Sequence, residues 1–301
     1  MAAPASRHLV SAADLSKPEI EALLDRAGTL AKNPEPTLLA GQILVTMFYE
    51  PSTRTRLSFE SAMTRLGGHV LSVADATGSS SAVKGETIED TIRVLESYGD
   101  ILAVRHPEEG SVARAAAVSS VPIINAGDGS GEHPTQALLD LYAMRQETGK
   151  LGGLRVCLVG DLKFGRTVHS LVRLLSHWKV ELTLVSPPEL DLPPDILSGL
   201  PTQPAQERDL ATALKGCDLV YMTRIQQERF SDPADYEKHR GAYVLTADMV
   251  RSKPDLVVLH PLPRVDEIEP DVDSLPNAAY FRQAAGGVHV RMALLATMLG
   301  R

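Results

Sequence analysis

The segment Met47-Phe-Tyr-Glu-Pro-Ser-Thr-Arg-Thr-Arg56 runs an apolar, β-prone stretch straight into Ser52, Thr53, Arg54 and Thr55 at the mouth of an expected helix. A helix start leaves its first N–H groups unpaired and its dipole favours negative charge, so this segment reads as a phosphate socket. Ser52 suits the N-cap, and Arg54 adds a planar fork matched to phosphate oxygens. An isolated Ser-Thr-Arg would read as an ordinary cap with solvated arginines. Three further segments argue for the socket.

His133-Pro-Thr-Gln136 follows the apolar stretch 121–124 and a Gly-rich turn, Asn125-Ala-Gly-Asp-Gly-Ser-Gly131. Pro134 opens a helix whose Leu138, Leu141 and Tyr142 form a buried stripe. His133 and Gln136 therefore fall at a strand-to-helix corner, where ligands of open α/β sheets collect. A lone histidine at such a place is more often a cap than a catalyst. In His260-Pro-Leu-Pro-Arg264, after the apolar run 256–259, two prolines remove backbone donors and leave carbonyls to accept from a ligand amine. Met222-Thr-Arg-Ile-Gln226 places Arg224 and Gln226 on one side of an extended segment. Gly160 and Gly165 frame four residues without Gly-Lys-Ser/Thr, which excludes a nucleotide P-loop.

Apolar runs alternate with helical patterns along the chain, the arrangement of parallel sheets with crossover helices. The expected fold class is α/β, with strands near 43–49, 69–74, 100–105 and 122–126 in a first domain after an opening helix near 18–32. A helix from Pro134 to about Thr148 leads to a second domain with strands near 155–160, 180–185, 218–222, 242–245 and 256–259. The stretch from Pro187 to Pro204 reads as loop or broken helix. Ala284 to Leu299 reads as an amphipathic final helix with Met292, Leu295 and Leu299 on one face. At 301 residues the chain is long enough for two α/β domains with separate cores.

A net charge of −8 argues against a nucleic-acid surface, so arginines must act locally, focused in a cleft. Two cysteines without a pairing pattern suit a reducing compartment, and Cys157, inside the apolar run 156–159, reads as core. No stretch is long and apolar enough to span a membrane, and residues 1–5 lack a signal-peptide core, so the expected location is cytoplasmic.

Together these motifs resemble the aspartate and ornithine carbamoyltransferase family, whose signatures are Ser-x-Arg-Thr-Arg and His-Pro-x-Gln, and the match covers nearly the whole chain. Within the family the chain looks like the aspartate branch, because ornithine enzymes carry His-Cys-Leu-Pro where this chain has His260-Pro261-Leu262-Pro263. The blocks 160–170, 222–230 and 280–283 are similar to the version fused into multifunctional pyrimidine-synthesis polypeptides of animals and fungi.

The resemblance implies two domains, each a parallel β-sheet flanked by helices. Residues 1–148 would bind carbamoyl phosphate, with the final helix 284–301 packed back on them, and residues 149–283 would bind aspartate. It implies transfer of the carbamoyl group to the aspartate amine in pyrimidine biosynthesis. The phosphate would be held by Ser52, Thr53, Arg54, Thr55 and Arg105. Ser80 and Lys84 would arrive from the neighbouring chain of a homotrimer with shared sites, although the run 79–81 leaves open which serine points at the ligand. Thr55, Arg105 and His133 would donate to the carbonyl oxygen. Gln136 and the Pro261 and Leu262 carbonyls would orient the carbamoyl NH2 and the amine. Arg166, Arg224, Gln226 and Lys84 would hold the aspartate carboxylates. On residue type alone Lys84 would pass for a solvated loop lysine, and Arg105 for a partner of Glu108 or Glu109. No metal or cofactor is implied, and partners could extend to a regulatory chain or fused pathway domains. The alternatives are a transferase for another amine, such as ornithine or putrescine, and a non-catalytic scaffold. An arginine-rich acceptor site disfavours the cationic amines, and the full set of motif residues disfavours the scaffold.

Overall fold

The computed structural model describes residues 8–79, 84–230 and 232–301, so Ser80 and Ser81 lie outside the described residues. Its contacts divide the chain into two compact units: Met1–Leu138 with Ala285–Arg301, and Leu139–Ala284. In chain order the first part carries α1 (Lys17–Lys32), β1 (Ile43–Phe48), α2 (Thr53–Arg65), β2 (His69–Val73), α3 (Ala76–Ser79), α4 (Ile88–Leu95), β3 (Ile101–His106), α5 (Ser111–Val118), β4 (Ile123–Asp128) and α6 (Pro134–Thr148). Then follow β5 (Arg155–Val159), α7 (Arg166–Leu175), β6 (Glu181–Val185), α8 (Pro194–Ser198), β7 (Ala205–Glu207), α9 (Leu210–Gly216), β8 (Leu219–Met222), α10 (Pro233–His239), α11 (Ala247–Arg251), β9 (Val257–Leu259) and α12 (Tyr280–Met298). The unit division falls inside α6 and inside α12.

The sheet of the first unit is parallel throughout, in the order β2-β1-β3-β4. Its central strands read as near-continuous apolar runs because helices cover both faces. Val45, Leu102, Val104 and Ile123 pack with Ile88, Ile92 and Val112 in one core cluster. Register places Phe48 opposite Arg105, so the chain leaving β1 emerges beside the end of β3. Strand order reverses between β1 and β3, and this switch point is where an open α/β sheet leaves its ligand crevice. The C-terminal stretch belongs to this unit: the Arg291 guanidinium lies over the Phe59 ring, 4.9 Å from its centroid, and is buried there.

The second unit repeats the logic with five parallel strands, β7-β6-β5-β8-β9. Here the reversal lies between β5 and β8. The segments beyond their carboxyl ends start with Gly160 and Thr223, and β9 leads directly into His260. Cys157 is in the core, as its apolar neighbours implied, and Cys217 is buried as well.

Two expectations fail here. No strand forms at 242–245, where only Leu245 makes an isolated bridge to Ile268. The Thr246 hydroxyl accepts from the Met249 N–H at 3.3 Å and starts α11, which cuts the apolar run short. The fifth strand is β7, an exposed Ala-Gln-Glu edge paired with β6 through its backbone, which leaves no apolar periodicity to read. The final helix also starts at Tyr280, four residues before the expected Ala284. Among the described residues no helix is long and apolar enough to cross a membrane.

Candidate active site

In the first unit, the N-terminus of α2 meets the ends of β3 and β4. Ser52 holds the N-cap position in an extended conformation, but its hydroxyl makes no cap bond. Thr53 and Arg54 follow, both exposed, while Thr55 is buried with its hydroxyl 3.4 Å from His133 Nε2. Arg105, at the end of β3, forms an ion pair with Glu50 at 3.2 Å and reaches toward the Ala126 carbonyl at 3.5 Å. Its partner is therefore Glu50; Glu108 pairs instead with Arg114 at 2.8 Å. Arg56 faces a different duty, donating to Glu60 and to the Ser72 hydroxyl, each at 3.0 Å.

His133 is placed by a turn built from two acidic or amide side chains. Asn125 Oδ1 accepts from the Gly127 N–H at 2.8 Å, and its Nδ2 donates to Asp128 Oδ1 at 3.0 Å. Asp128 in turn accepts from the Gly110 and Glu132 N–H groups, both at 3.0 Å. Gly129 sits at φ 49°, where an added Cβ would lie 2.8 Å from the Glu109 nitrogen. The His133 carbonyl then receives the first helical N–H groups of α6, from Gln136 and Ala137. Thr55, His133 and Gln136 are all buried, so their polar atoms act where charge interactions are weakly screened.

In the second unit, buried Asp161 follows β5 and organises the loop before Arg166. Its carboxylate accepts from the Phe164 N–H at 2.9 Å and from the Gln226 N–H at 3.5 Å, tying the Arg166 loop to the segment after β8. Burial raises its carboxyl above the usual range. Phe164 and Phe230 pack edge to face with ring centroids 6.0 Å apart, a second tie between the same segments. Arg224 is paired with Glu228, donating to Oε2 at 3.0 Å, which raises its guanidinium further above its ordinary value. Gln226 is extended (φ −87°, ψ 92°) and caps a one-turn helix, Gln227–Arg229. A cavity of about 130 Å³ opens beside Arg224, lined also by Glu228, Tyr236, Arg240, Tyr243 and Glu267.

After β9 the chain turns sharply through Pro261 and Leu262. Leu262 has φ 55° and precedes a cis peptide to Pro263. A leucine in the left-handed region costs on the order of 1–3 kcal/mol, so surrounding contacts must hold it. His260 does so: its Nδ1 accepts from the Leu262 N–H at 2.7 Å.

The structure thus brings Ser52, Thr53, Arg54, Thr55, Arg105, His133 and Gln136 to the switch point of the first unit. It brings Arg166, Arg224, Gln226, Pro261 and Leu262 to the strand ends of the second. Lys84 is exposed, ahead of the Thr87-capped helix α4. Glu50, Asn125, Asp128, Asp161 and Glu267 were missed. Each sits within eight residues of a motif, but isolated acidic and amide side chains carry no periodic signal. Among the described residues no three His, Cys, Asp or Glu side chains cluster as metal ligands.

Two parallel α/β units, each gathering charged and polar side chains at its own switch point, define the class of α/β proteins that take small anionic ligands beyond strand carboxyl ends. Residues 7–146 match the carbamoyl-phosphate-binding domain, and residues 152–298 the Asp/Orn-binding domain, of aspartate/ornithine carbamoyltransferases. The chain belongs to the aspartate/ornithine carbamoyltransferase family. It is 49% identical over 308 residues to the aspartate carbamoyltransferase catalytic subunit of Methanopyrus kandleri, covering 100% of this chain and 99% of the relative. Identity to the Methanocaldococcus jannaschii catalytic subunit is 50% over 302 residues, covering 97% and 98%. The solved catalytic subunit of M. jannaschii aspartate transcarbamoylase superposes with a TM-score of 0.89 at 50% identity, covering 97% and 98% of the two chains. Aspartate transcarbamoylase from Trypanosoma cruzi, in complex with carbamoyl phosphate and aspartate, gives 0.90 at 40% identity, covering 97% and 96%.

Proposed function

We propose that this chain is an aspartate carbamoyltransferase, which transfers the carbamoyl group of carbamoyl phosphate to the amine of L-aspartate. The observation that carries the reading is the socket of the first unit, where the α2 N-terminus, Arg105 and the Thr55–His133 contact converge on one switch point. The phosphate docks on Ser52, Thr53, Arg54 and Thr55, taking up helix N–H groups and the Arg54 fork. Arg105 turns from Glu50 toward the ligand, exchanging one anion for another.

Thr55, Arg105 and His133 donate to the carbonyl oxygen, which gains negative charge as the amine attacks carbon. Removing one such donor costs about 2.7–4 kcal/mol of transition-state stabilisation. Gln136 orients the carbamoyl NH2, and the Pro261 and Leu262 carbonyls accept hydrogens of the NH2 and the amine. Arg166, Arg224 and Gln226 hold the aspartate carboxylates, with the ligand displacing Glu228 from Arg224. The new C–N bond forms as the C–O bond to phosphate breaks, and the departing phosphate takes the amine proton. His133 polarises and never becomes a nucleophile.

Ser80 and Lys84 complete the site of a neighbouring chain in a homotrimer. Support comes from the apolar side chains left open on the same unit: Leu71 on the edge strand β2, Leu57 on α2 and Tyr98 after α4 are each close to half exposed. Exposed edge strands are covered in stable proteins, and a second copy of the chain would do so here. Buried free thiols at Cys157 and Cys217 support a reducing, cytoplasmic setting.

Carbamoyl phosphate offered with aspartate, ornithine or putrescine tests the reading. Carbamoyl aspartate as the dominant product is expected. Preference for a cationic amine would reassign the acceptor, and turnover of none would point to the scaffold alternative.

A further inference from the structure

His260 belongs to a motif of the second unit, yet the transfer chemistry above gives it no task. Its side chain is buried and both ring nitrogens are engaged. Because the Leu262 N–H donates into Nδ1 at 2.7 Å, that nitrogen carries no hydrogen, so the proton sits on Nε2. Nε2 donates to Glu267 Oε1 at 2.6 Å. The second oxygen of Glu267 accepts from the Val265 and Asp266 N–H groups, each at 3.1 Å, so the carboxylate staples the far end of the turn.

The other side of His260 is fixed too. Its backbone N–H donates to Gln283 Oε1 at 2.9 Å, and Gln283 Nε2 donates to buried Asp140 at 2.7 Å. Asp140 also accepts from the Tyr221 hydroxyl at 2.7 Å. A continuous buried chain therefore runs from Tyr221 in β8 to the turn at Leu262. Satisfied networks of this kind rigidify what they hold.

We propose that His260 and Glu267 are positioning residues, which lock Leu262 in its left-handed conformation and thereby aim the Pro261 and Leu262 carbonyls at the hydrogens of the carbamoyl NH2 and the reacting amine. The inference rests on the transferase reading. Burial holds the His260 imidazole below its ordinary pKa, which keeps Nδ1 free to accept, with Glu267, Arg264 and Arg224 the charged groups around it.

Two substitutions separate the halves of the imidazole. His260→Asn keeps an oxygen near the Nδ1 position for the Leu262 N–H and drops the bond to Glu267. His260→Gln restores a donor near Nε2 but leaves the Leu262 N–H unpaired. Wild-type turnover checks the transferase reading by itself, and the Asn–Gln contrast in folded protein checks this inference. His260→Asn should keep kcat within about tenfold of wild type, whereas His260→Gln should lose on the order of 100-fold, the usual cost of a misplaced reacting group. Calorimetric affinity for inorganic phosphate should stay within about twofold in both, because the phosphate socket lies in the other unit; this separates a positioning effect on kcat from general loss of structure. Equal kcat in the two variants, or losses that simply track their unfolding midpoints, would overturn the proposal. If neither folds, Glu267→Gln decides: with only one oxygen it cannot serve both His260 and the 265–266 amides, so unchanged kcat in that folded variant would overturn it as well.

Discussion

Arg54 and Thr55 are neighbours in the first turn of α2, one exposed and one buried, and the difference divides their chemistry. Thr55 contributes to packing as well as to the socket, so its loss would mix stability with activity. Arg54 contributes little to the core. Arg54→Ala should therefore leave folding stability within about 0.5 kcal/mol while lowering kcat at least about 100-fold, since it removes charge stabilisation that develops in the transition state. Denaturant melts alongside initial rates check both halves, and near-normal turnover in the folded variant would sink the phosphate assignment. Arg56, two residues on, looks equivalent in sequence. Its bonds to Glu60 and Ser72 make it structural, a distinction that residue type and spacing do not carry.

At the scale of elements, the proposed acceptor side rests on the loops after β5 and β8. Gly160 has φ 114°, and an added Cβ would lie 2.2 Å from the Thr223 carbonyl oxygen. That carbonyl cannot easily retreat, because the Thr223 N–H is bonded to the Val159 carbonyl at 2.8 Å and its hydroxyl to the same oxygen at 2.9 Å. Gly160→Ala should thus cost roughly 2–6 kcal/mol from backbone strain and overpacking together. A urea midpoint unchanged from wild type would show that β5 and β8 do not need this close approach. The Gly160–Gly165 spacing was visible in the sequence, but its reason was not: the glycine answers to a carbonyl 63 residues away.

For the whole molecule, a net charge of −8 must coexist with anionic substrates. In the proposed site arginines meet that demand locally, and two of them, Arg105 and Arg224, are paired with carboxylates of their own chain. Assembly completes the proposed site, and it can be tested by complementation. Arg54→Ala and Lys84→Ala chains should each be nearly inactive alone. If the two residues serve one site from different chains, every mixed trimer holds one interface where intact Arg54 meets intact Lys84. Random reassembly of equal amounts should restore roughly a quarter of all sites, by counting neighbour pairs around a three-membered ring. Recovery no greater than the parents' residual rates, with a wild-type control fully active, would place Lys84 within its own chain or outside the site.

Much of this was legible in the order of residues. Apolar runs alternating with helical patterns marked eight of the nine strands among the described residues, and the helix-start and strand-end motifs located both clusters, because local chemistry repeats wherever a strand feeds a helix. Tertiary structure alone decided three things. It set the sheet orders, which bring Phe48 beside Arg105 in register and put the reversals beside the motifs. It turned β7, with no apolar pattern, into an edge strand through backbone pairing, and it left the apolar run at 242–245 without a strand. It also joined Tyr221 and Gln283 to Asp140 and Asp161 to Gln226, partners that meet only once the elements pack. Periodicity reports which face of an element is buried, whereas a buried polar pair reports where two elements end up, and that depends on the packing of the whole unit.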